Sequence, residues 1–240
     1  MSSSRHTRAV VTRSRSAAAL AGLLWAAGAA AADCPTAMVY WDDHGLVGGT
    51  IVTAQVAYDT TFFQTYGGGS TRIRFDRAQA TLALDASSDS WFQAGARVTE
   101  RFEVIGASPG TPLDLTVEYH VVAATDQACG ASGCGVVCWG AVQVGTDSLS
   151  ADATQIGPGY GGRDVDATLE QPLHVVAGTP FEVTFVVGYH TFFGGGGDGR
   201  ATGHYGIAGL PPGARAIACP GADLTPTTHA SWGALKTRYR

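Results

Sequence analysis

Residues 179–190 read Thr-Pro-Phe-Glu-Val-Thr-Phe-Val-Val-Gly-Tyr-His, and this stretch indicates the fold more clearly than any other. Every second residue from Phe181 to Tyr189 is bulky and apolar. A period of two directs alternate side chains to opposite faces of a β-strand. The stretch therefore predicts a strand with one buried face.

The chain after this strand continues the β pattern. A glycine run at 194–197 is followed by alternating residues from Gly199 to Ala208. Glycine tolerates the backbone angles of tight turns, so we expect a hairpin with the glycines at its tip. The turn residues Leu210–Gly213 and a short strand from Ala214 to Ala218 complete this part of the chain.

Alternation elsewhere predicts an all-β fold. Two alternating runs between Arg72 and Asp85 are out of phase by one residue, which a β-bulge near residues 76–79 would reconcile. Pro172 indicates an edge strand, because proline cannot donate a ladder hydrogen bond. With no convincing helix before residue 230, we predict a single antiparallel β-sandwich of jelly-roll type. The other strands are predicted at 51–58, 98–104, 113–121, 136–144 and 166–176.

The first 32 residues predict a secretory signal peptide. Four arginines precede an Ala- and Leu-rich run that ends in small residues, with cleavage expected after Ala32. The run is short for a membrane span, and no second candidate follows it. We therefore expect export by a Sec-type signal to the cell surface or the medium. The β-sandwich domain would cover residues 33–222, and residues 223–240 would form a flexible linker and a short basic tail.

Charge narrows the range of partners. The chain has 15 Lys and Arg against 20 Asp and Glu. Removing the predicted signal takes away four arginines and no acid, which leaves 11 basic against 20 acidic residues and a net charge of −9. Nucleic acids and anionic membranes bind proteins through basic surfaces, so both are poor partners. An extracellular polysaccharide or a surface protein remains open as a partner.

Five cysteines follow the predicted cleavage site, and an exported chain is expected to oxidise them in pairs. The odd number leaves one thiol over, and sequence alone permits fifteen arrangements. A turn at residues 130–133 would set Cys129 opposite Cys134, while Cys34 and Cys219 flank the domain. These four are the disulfide candidates, with Cys138 as the candidate free thiol. The Cys-x4-Cys-x3-Cys spacing lacks the Cys-x2-Cys pairs of zinc knuckles and is less suited to a metal.

Metal binding has three weaker candidates, and no cofactor is expected. Asp85 and Asp89 bracket a hydroxyl-rich turn, and Asp164 and Asp166 share one strand face, so either pair offers oxygen ligands to Ca²⁺. Neither pair has the spacing of a recognised calcium loop. Two histidines would face each other across the predicted glycine hairpin, but two ligands alone do not complete a site. These histidines are His190 and His204.

The last residues differ in composition from the domain. Trp232, Lys236, Tyr239 and Arg240 lie in a segment with three cations in its final five residues. Against a strongly acidic body, such a segment docks on the protein's own surface, is recognised by another factor, or stays disordered as chain termini often do.

Two resemblances concern the end of the chain. Phe-Glu-Val-Thr-Phe at 181–185, the glycine run, and Gly203–Gly213 with its Leu-Pro-Pro-Gly resemble the closing strands of PEP-CTERM-type exported bacterial β-sandwich proteins. This resemblance implies a surface or matrix component, although the chain has no Pro-Glu-Pro box and no C-terminal membrane helix. The ending Ser-Trp-Gly-x-Leu-Lys-x-x-Tyr-Arg at 231–240 is similar to a short tail on other exported bacterial proteins, which implies a sorting or attachment signal.

Three functions follow from these features. The first is a non-enzymatic structural or adhesive component of the cell surface or extracellular matrix, because no Gly-x-Ser-x-Gly, His-Glu-x-x-His or phosphate-binding glycine loop is present. The second is a carbohydrate-binding module that stacks aromatic rings on sugars. The third is a polymer-degrading hydrolase, which requires two carboxylates that converge in a groove. The candidate stacking residues are Trp41, Tyr66, Trp91, Phe192 and Phe193.

Overall fold

A computed structural model describes most of the predicted domain. The predicted signal peptide and the tail lie outside the described residues, as do Cys34 and Cys219. The described residues are 37–42, 51–56, 61–66, 69–89, 92–129, 134–156, 159–192, 196–218 and 222–223.

The fold consists of two antiparallel sheets, which confirms the predicted β-sandwich. No helix occurs among the described residues. The eight-stranded sheet contains β1 (Ala37–Asp42), β2 (Ile51–Val56), β6 (Gln93–Ile105), β8 (Gly135–Val144), β9 (Asp147–Ile156), β11 (Phe181–Phe192), β13 (Arg215–Ala218) and β14 (Ala222–Asp223). The six-stranded sheet contains β3 (Thr61–Tyr66), β4 (Gly69–Asp76), β5 (Thr81–Ser88), β7 (Pro112–Cys129), β10 (Gly159–Val176) and β12 (Gly196–Ala208).

The strand order is that of a jelly roll. The six-stranded sheet runs β10-β7-β12-β5-β4-β3, and the larger sheet contains β6-β11-β8-β9 in that order. Within the eight strands from β5 to β12, the first pairs with the last, the second with the seventh, the third with the sixth, and the fourth with the fifth. This nested pairing is the arrangement that defines the jelly roll. Pro172 lies in β10, an edge strand, as predicted.

One hydrophobic core fills the space between the sheets. Tyr119 and Phe185 are fully buried there, and Phe185 stacks on Tyr205 with ring centroids 4.1 Å apart. Gly203 is required beside them, because a Cβ at this position would overlap the Tyr119 phenol. The aromatic rings therefore pack directly against the backbone of β12.

A charged group is also buried in this core. Glu100 on β6 has no exposed side-chain surface and lies 3.2 Å from the Arg77 guanidinium. Tyr205 donates a second hydrogen bond to Glu100, also at 3.2 Å. The network links β6, β12 and the turn that joins β4 to β5.

Three predictions about how the strands are connected are wrong. The glycine run after Phe192 does not close a hairpin, because β11 and β12 lie in different sheets. The cysteine-rich stretch likewise joins β7 to β8 across the sandwich. The phase change before Thr81 is a tight turn at residues 77–80 between two paired strands, not a bulge within one strand.

The strand ends divide the sandwich into two ends. Short turns with positive-φ residues, among them Ala80, Gly145 and Gly213, occupy one end. The other end holds the last residues of β3, β5, β7 and β11, and the first of β4, β8, β10 and β12. We call the second end the loop end.

Among the described residues, no helix is long and apolar enough to cross a membrane.

Candidate functional site

A groove of 680 Å³ crosses the outer face of the six-stranded sheet on the loop-end side. Five strands contribute to it, namely β4, β5, β12, β7 and β10. Along each strand the outward residues alternate with buried ones, so polar side chains line the outer face while apolar ones fill the core. We call it the cross-strand groove. Its outward side chains are Ser70, Arg72, Asp85, Ser87, Ala124, Asp126, Asp164, Asp198 and Arg200.

Strand register arranges these side chains in two rows across the strands. Arg72, Asp85 and Arg200 occupy consecutive positions of one row on β4, β5 and β12. In the next row, Asp198 on β12 lies directly opposite Asp126 on β7. Directly opposed residues have Cβ atoms about 5 Å apart. The groove thus alternates donors and acceptors in one row and holds two like charges side by side in the other.

The charged side chains of the groove are available to a ligand. All six are exposed, and none makes an ion pair or a side-chain hydrogen bond within the described part of the chain. Elsewhere on the same face, Arg74 bonds Asp76 at 3.0 Å. The six unpaired groups are Arg72, Asp85, Asp126, Asp164, Asp198 and Arg200.

The floor of the groove packs directly on the core. Gly199 has no side chain, and the Tyr189 ring of the opposite sheet packs against its Cα from within the core. The Tyr189 hydroxyl donates to the Gly197 carbonyl. Burial, and secondly the negative charge of Asp198, raise the pKa of Tyr189, so the phenol keeps its proton and remains a donor.

A histidine pair lies beyond the groove on the same face. His120 on β7 is directly opposite His204 on β12, so the structure does not support the predicted pairing of His204 with His190. His190 lies in the other sheet. Nε2 of His120 is 2.8 Å from Oδ1 of Asp166, and Nδ1 of His204 is 2.9 Å from Oγ1 of Thr81.

Of the calcium candidates, Asp164 and Asp166 share the outer face of β10, as predicted. Asp85 and Asp164 both line the groove, on strands β5 and β10, while Asp166 bonds His120 and Asp89 follows the end of β5. No three His, Cys, Asp or Glu residues within the described ranges are grouped to hold a metal ion.

The backbone places the aromatic candidates around the loop end. Trp41 pairs with Ala94, Tyr66 pairs with Gly69, and Phe192 pairs with Gly135, each at a strand terminus. Their side chains lie outside the described residues, as do Trp91 and Phe193 altogether. Stacking by these five residues therefore stays a prediction.

One aromatic residue was not identified as a candidate. Trp139 lies on the outer face of the eight-stranded sheet, where its benzene ring covers Gly188 of the neighbouring strand. The alternation around Cys138 did place this tryptophan outward. Only the register reveals that a glycine faces it.

The cysteines lie near the loop end as well. Cys138 is buried and free. Cys134 is buried just before β8, and Cys129 ends β7, with its side chain outside the described residues. A bond between Cys129 and Cys134 stays a prediction, and it would join the two sheets rather than close a hairpin.

Asp85 and Asp164 were named from the sequence as calcium candidates, but nothing in the sequence indicated that the groove residues come together. Each is an ordinary outward residue of an amphipathic strand, and they meet because β12 lies between β5 and β7. The Asp-x-Arg at 198–200 and the Arg-x-Arg at 72–74 were visible as same-face charges. Comparison with known proteins adds no further constraint, since no protein-family model and no curated protein matches the chain.

Proposed function

We propose that the protein is an exported, non-enzymatic adhesive component that binds extracellular polysaccharide in the cross-strand groove. The observation that carries the proposal is the set of six unpaired charged side chains, supplied by five strands of one sheet. Carboxylates and guanidinium groups offer paired acceptors and donors, which suit adjacent hydroxyl groups of a sugar. Binding in a preformed site also avoids the entropic cost of ordering loops.

The dimensions of the sheet support an extended ligand. Neighbouring strands are about 4.8 Å apart, so a polymer that crosses the strands meets a new pair of polar groups at each step. Beside the groove, Val122 is 43% exposed and, with Ala124, presents a small apolar surface. Sugars have both apolar C–H faces and polar edges. The apolar surface can contact the C–H faces, and the charged side chains of the groove can bond the polar edges.

A glycan array of the chain Asp33–Arg240 tests the proposal. Specific binding that is lost in both Asp198→Ala and Arg200→Ala supports the groove. Glu182→Ala and Arg101→Ala are the matched controls, because they form an opposed acid–base pair on the outer face of the other sheet. Binding that survives both groove variants but is lost in Trp41→Ala or Phe192→Ala would place the site on the predicted aromatics. Absence of binding would leave a purely structural role.

A hydrolase is the second candidate, because Asp126 and Asp198 converge in the groove as that function requires. Retaining glycosidases use carboxyl groups about 5 Å apart. A general acid, however, is normally kept protonated by an apolar pocket, and both of these side chains are exposed. The geometry therefore favours binding over hydrolysis. Release of reducing sugar from a bound polysaccharide, abolished by Asp126→Asn, would reverse this preference.

A further inference from the structure

The acidic residues of the protein are concentrated on one face. The described outward side chains of the eight-stranded sheet are balanced, with Arg97, Arg101 and Arg215 against Glu103, Asp152 and Glu182. Those of the six-stranded sheet comprise three arginines, Arg72, Arg74 and Arg200, against nine acids, Asp76, Asp85, Asp114, Glu118, Asp126, Asp164, Asp166, Glu170 and Asp198. Most of the acids belong to β7, β10 and β12. This half of the face is therefore suited to a cationic partner.

The chain itself contains a segment of the opposite charge. Residues 224–240 carry Lys236, Arg238 and Arg240 and no acidic residue. The segment follows β14, which pairs with β13 beside β6. We propose that residues 224–240 dock on the acidic half of the same molecule's six-stranded sheet, with their cations at Asp126 and Asp198 in the cross-strand groove.

The length of the segment permits this contact. Since β6 packs over β4 and β5, β14 lies on the side of the sandwich farthest from β10. A path to the acidic strands crosses a sheet-to-sheet distance of about 10 Å and roughly five strand spacings of about 4.8 Å, or about 34 Å across the strands. Asp223 is level with Glu103 of β6, about ten residues farther along the strands than Asp198, which adds about 33 Å and makes the direct distance about 47 Å. Arg238 and Arg240 are 15 and 17 residues beyond Asp223 and can lie up to about 50 Å and about 56 Å from it in an extended chain, so these two cations can reach the groove.

Docking would relieve the repulsion between the carboxylates of Asp126 and Asp198. Asp126 and Asp198 are directly opposed, exposed and without an ion pair. Like charges in opposed positions of a sheet destabilise it. A lysine or arginine between them removes this cost.

Titration of a labelled peptide tests the inference without any sugar, so its outcome is independent of glycan binding. The peptide comprises residues 229–240, and the receptor is the chain 33–240 with Lys236→Gln, Arg238→Gln and Arg240→Gln, whose own segment cannot compete. We expect saturable binding that weakens several-fold as salt is raised, since exposed charges are screened. A peptide with the same three substitutions should not bind.

Two comparisons make the test specific. Adding Asp126→Asn and Asp198→Asn to the receptor should abolish binding, whereas Glu103→Gln with Glu182→Gln on the other sheet should leave it intact. Neither pair is expected to unfold the protein, because all four side chains are exposed. The unsubstituted chain should bind the peptide several-fold more weakly than the neutralised one. Equal binding by these two chains, or equal effects of the two acid pairs, would overturn the inference.

Discussion

Ala80 adopts a backbone conformation that glycine would adopt at lower cost. Its φ of 47° lies in the left-handed region, at the end of the turn between β4 and β5. The turn is fixed by hydrogen bonds from the Ala80 amide to the Arg77 carbonyl and from the Tyr205 amide to the Ala80 carbonyl, both 3.0 Å. The surrounding strands therefore impose the conformation on the alanine.

Ala80→Gly should stabilise the protein by about 1 kcal/mol, because the relief of left-handed strain exceeds the extra entropy of glycine in the unfolded chain. Urea unfolding measures the change. Ala83→Gly is the matched control, since Ala83 lies within β5 and the same substitution there should destabilise by about 0.5–1 kcal/mol. A destabilising Ala80→Gly would contradict the assignment of strain.

Cys138 should react with alkylating reagents only when the fold opens. Burial raises the pKa of this thiol to about 12, and the nearby Asp85 charge adds to the effect, so almost no thiolate forms at neutral pH. We expect iodoacetamide to label Cys138 at the rate of global unfolding. A cysteine introduced at the exposed position Ser87 should react at once in the same chain. Rapid labelling of both would show that the strands around Cys138 open locally.

At the scale of the elements, the buried ion pair holds the β4–β5 turn to the core. Glu100→Ala would leave the Arg77 guanidinium, which is 8% exposed, without the carboxylate it contacts. Loss of one partner of a buried pair costs about 3 kcal/mol or more. The double variant Glu100→Leu with Arg77→Met should cost much less, because no buried charge remains. Denaturant unfolding measures the loss of unfolding free energy in the two variants. Similar losses in both would show that the ion pair does not account for the effect of Glu100→Ala.

The pairing of β7 with β12 should depend on pH through His204. Burial, and secondly the neighbouring His120, lower the pKa of His204. The unfolded chain, with an ordinary pKa of about 6.5, therefore takes up this proton before the folded chain does. The contribution of neutral His204 to the free energy of unfolding is therefore complete above about pH 6.5. It is lost as the pH falls below that value towards the lowered pKa of His204 in the folded state.

Free energies of unfolding at about pH 8 and about pH 5 test this dependence. In His204→Gln the difference between the two values should shrink. Thr202→Ala is the control, because it changes a non-titrating outward residue of the same strand, and it should leave the difference unchanged. An unchanged difference in His204→Gln would exclude this histidine as the source.

The strands were predictable from sequence, but their connections were not. Alternation is a local property of the backbone, so the stretch from Phe181 to Tyr189 indicated a strand without any knowledge of its neighbours. A glycine-rich connection fits a hairpin and a crossing between sheets equally well, and both glycine connections proved to be crossings. The groove required the strand order as well, since Arg72, Asp126 and Arg200 come from strands remote in sequence.

At the scale of the whole molecule, the nested pairing should set the order of folding. β8 and β9 are joined by a two-residue turn at 145–146, whereas β5 must find β12 more than a hundred residues later. Closing long loops costs more entropy than closing short ones. Pulsed hydrogen exchange during refolding should protect residues 135–156 first and the β5–β12 pair last. Simultaneous protection of both would contradict this order.

The same nesting acts during synthesis, when the chain emerges from its amino end. β5 can pair with β4 as soon as both are made, but its second edge must wait for β12, which begins 108 residues after Ser88. At ordinary rates of translation this wait is on the order of ten seconds. An unpaired strand edge readily joins the edge of another chain. The newly made protein therefore passes through a period in which it is far more prone to aggregate than the finished sandwich, and its yield will depend on how that edge is shielded until the last strands arrive.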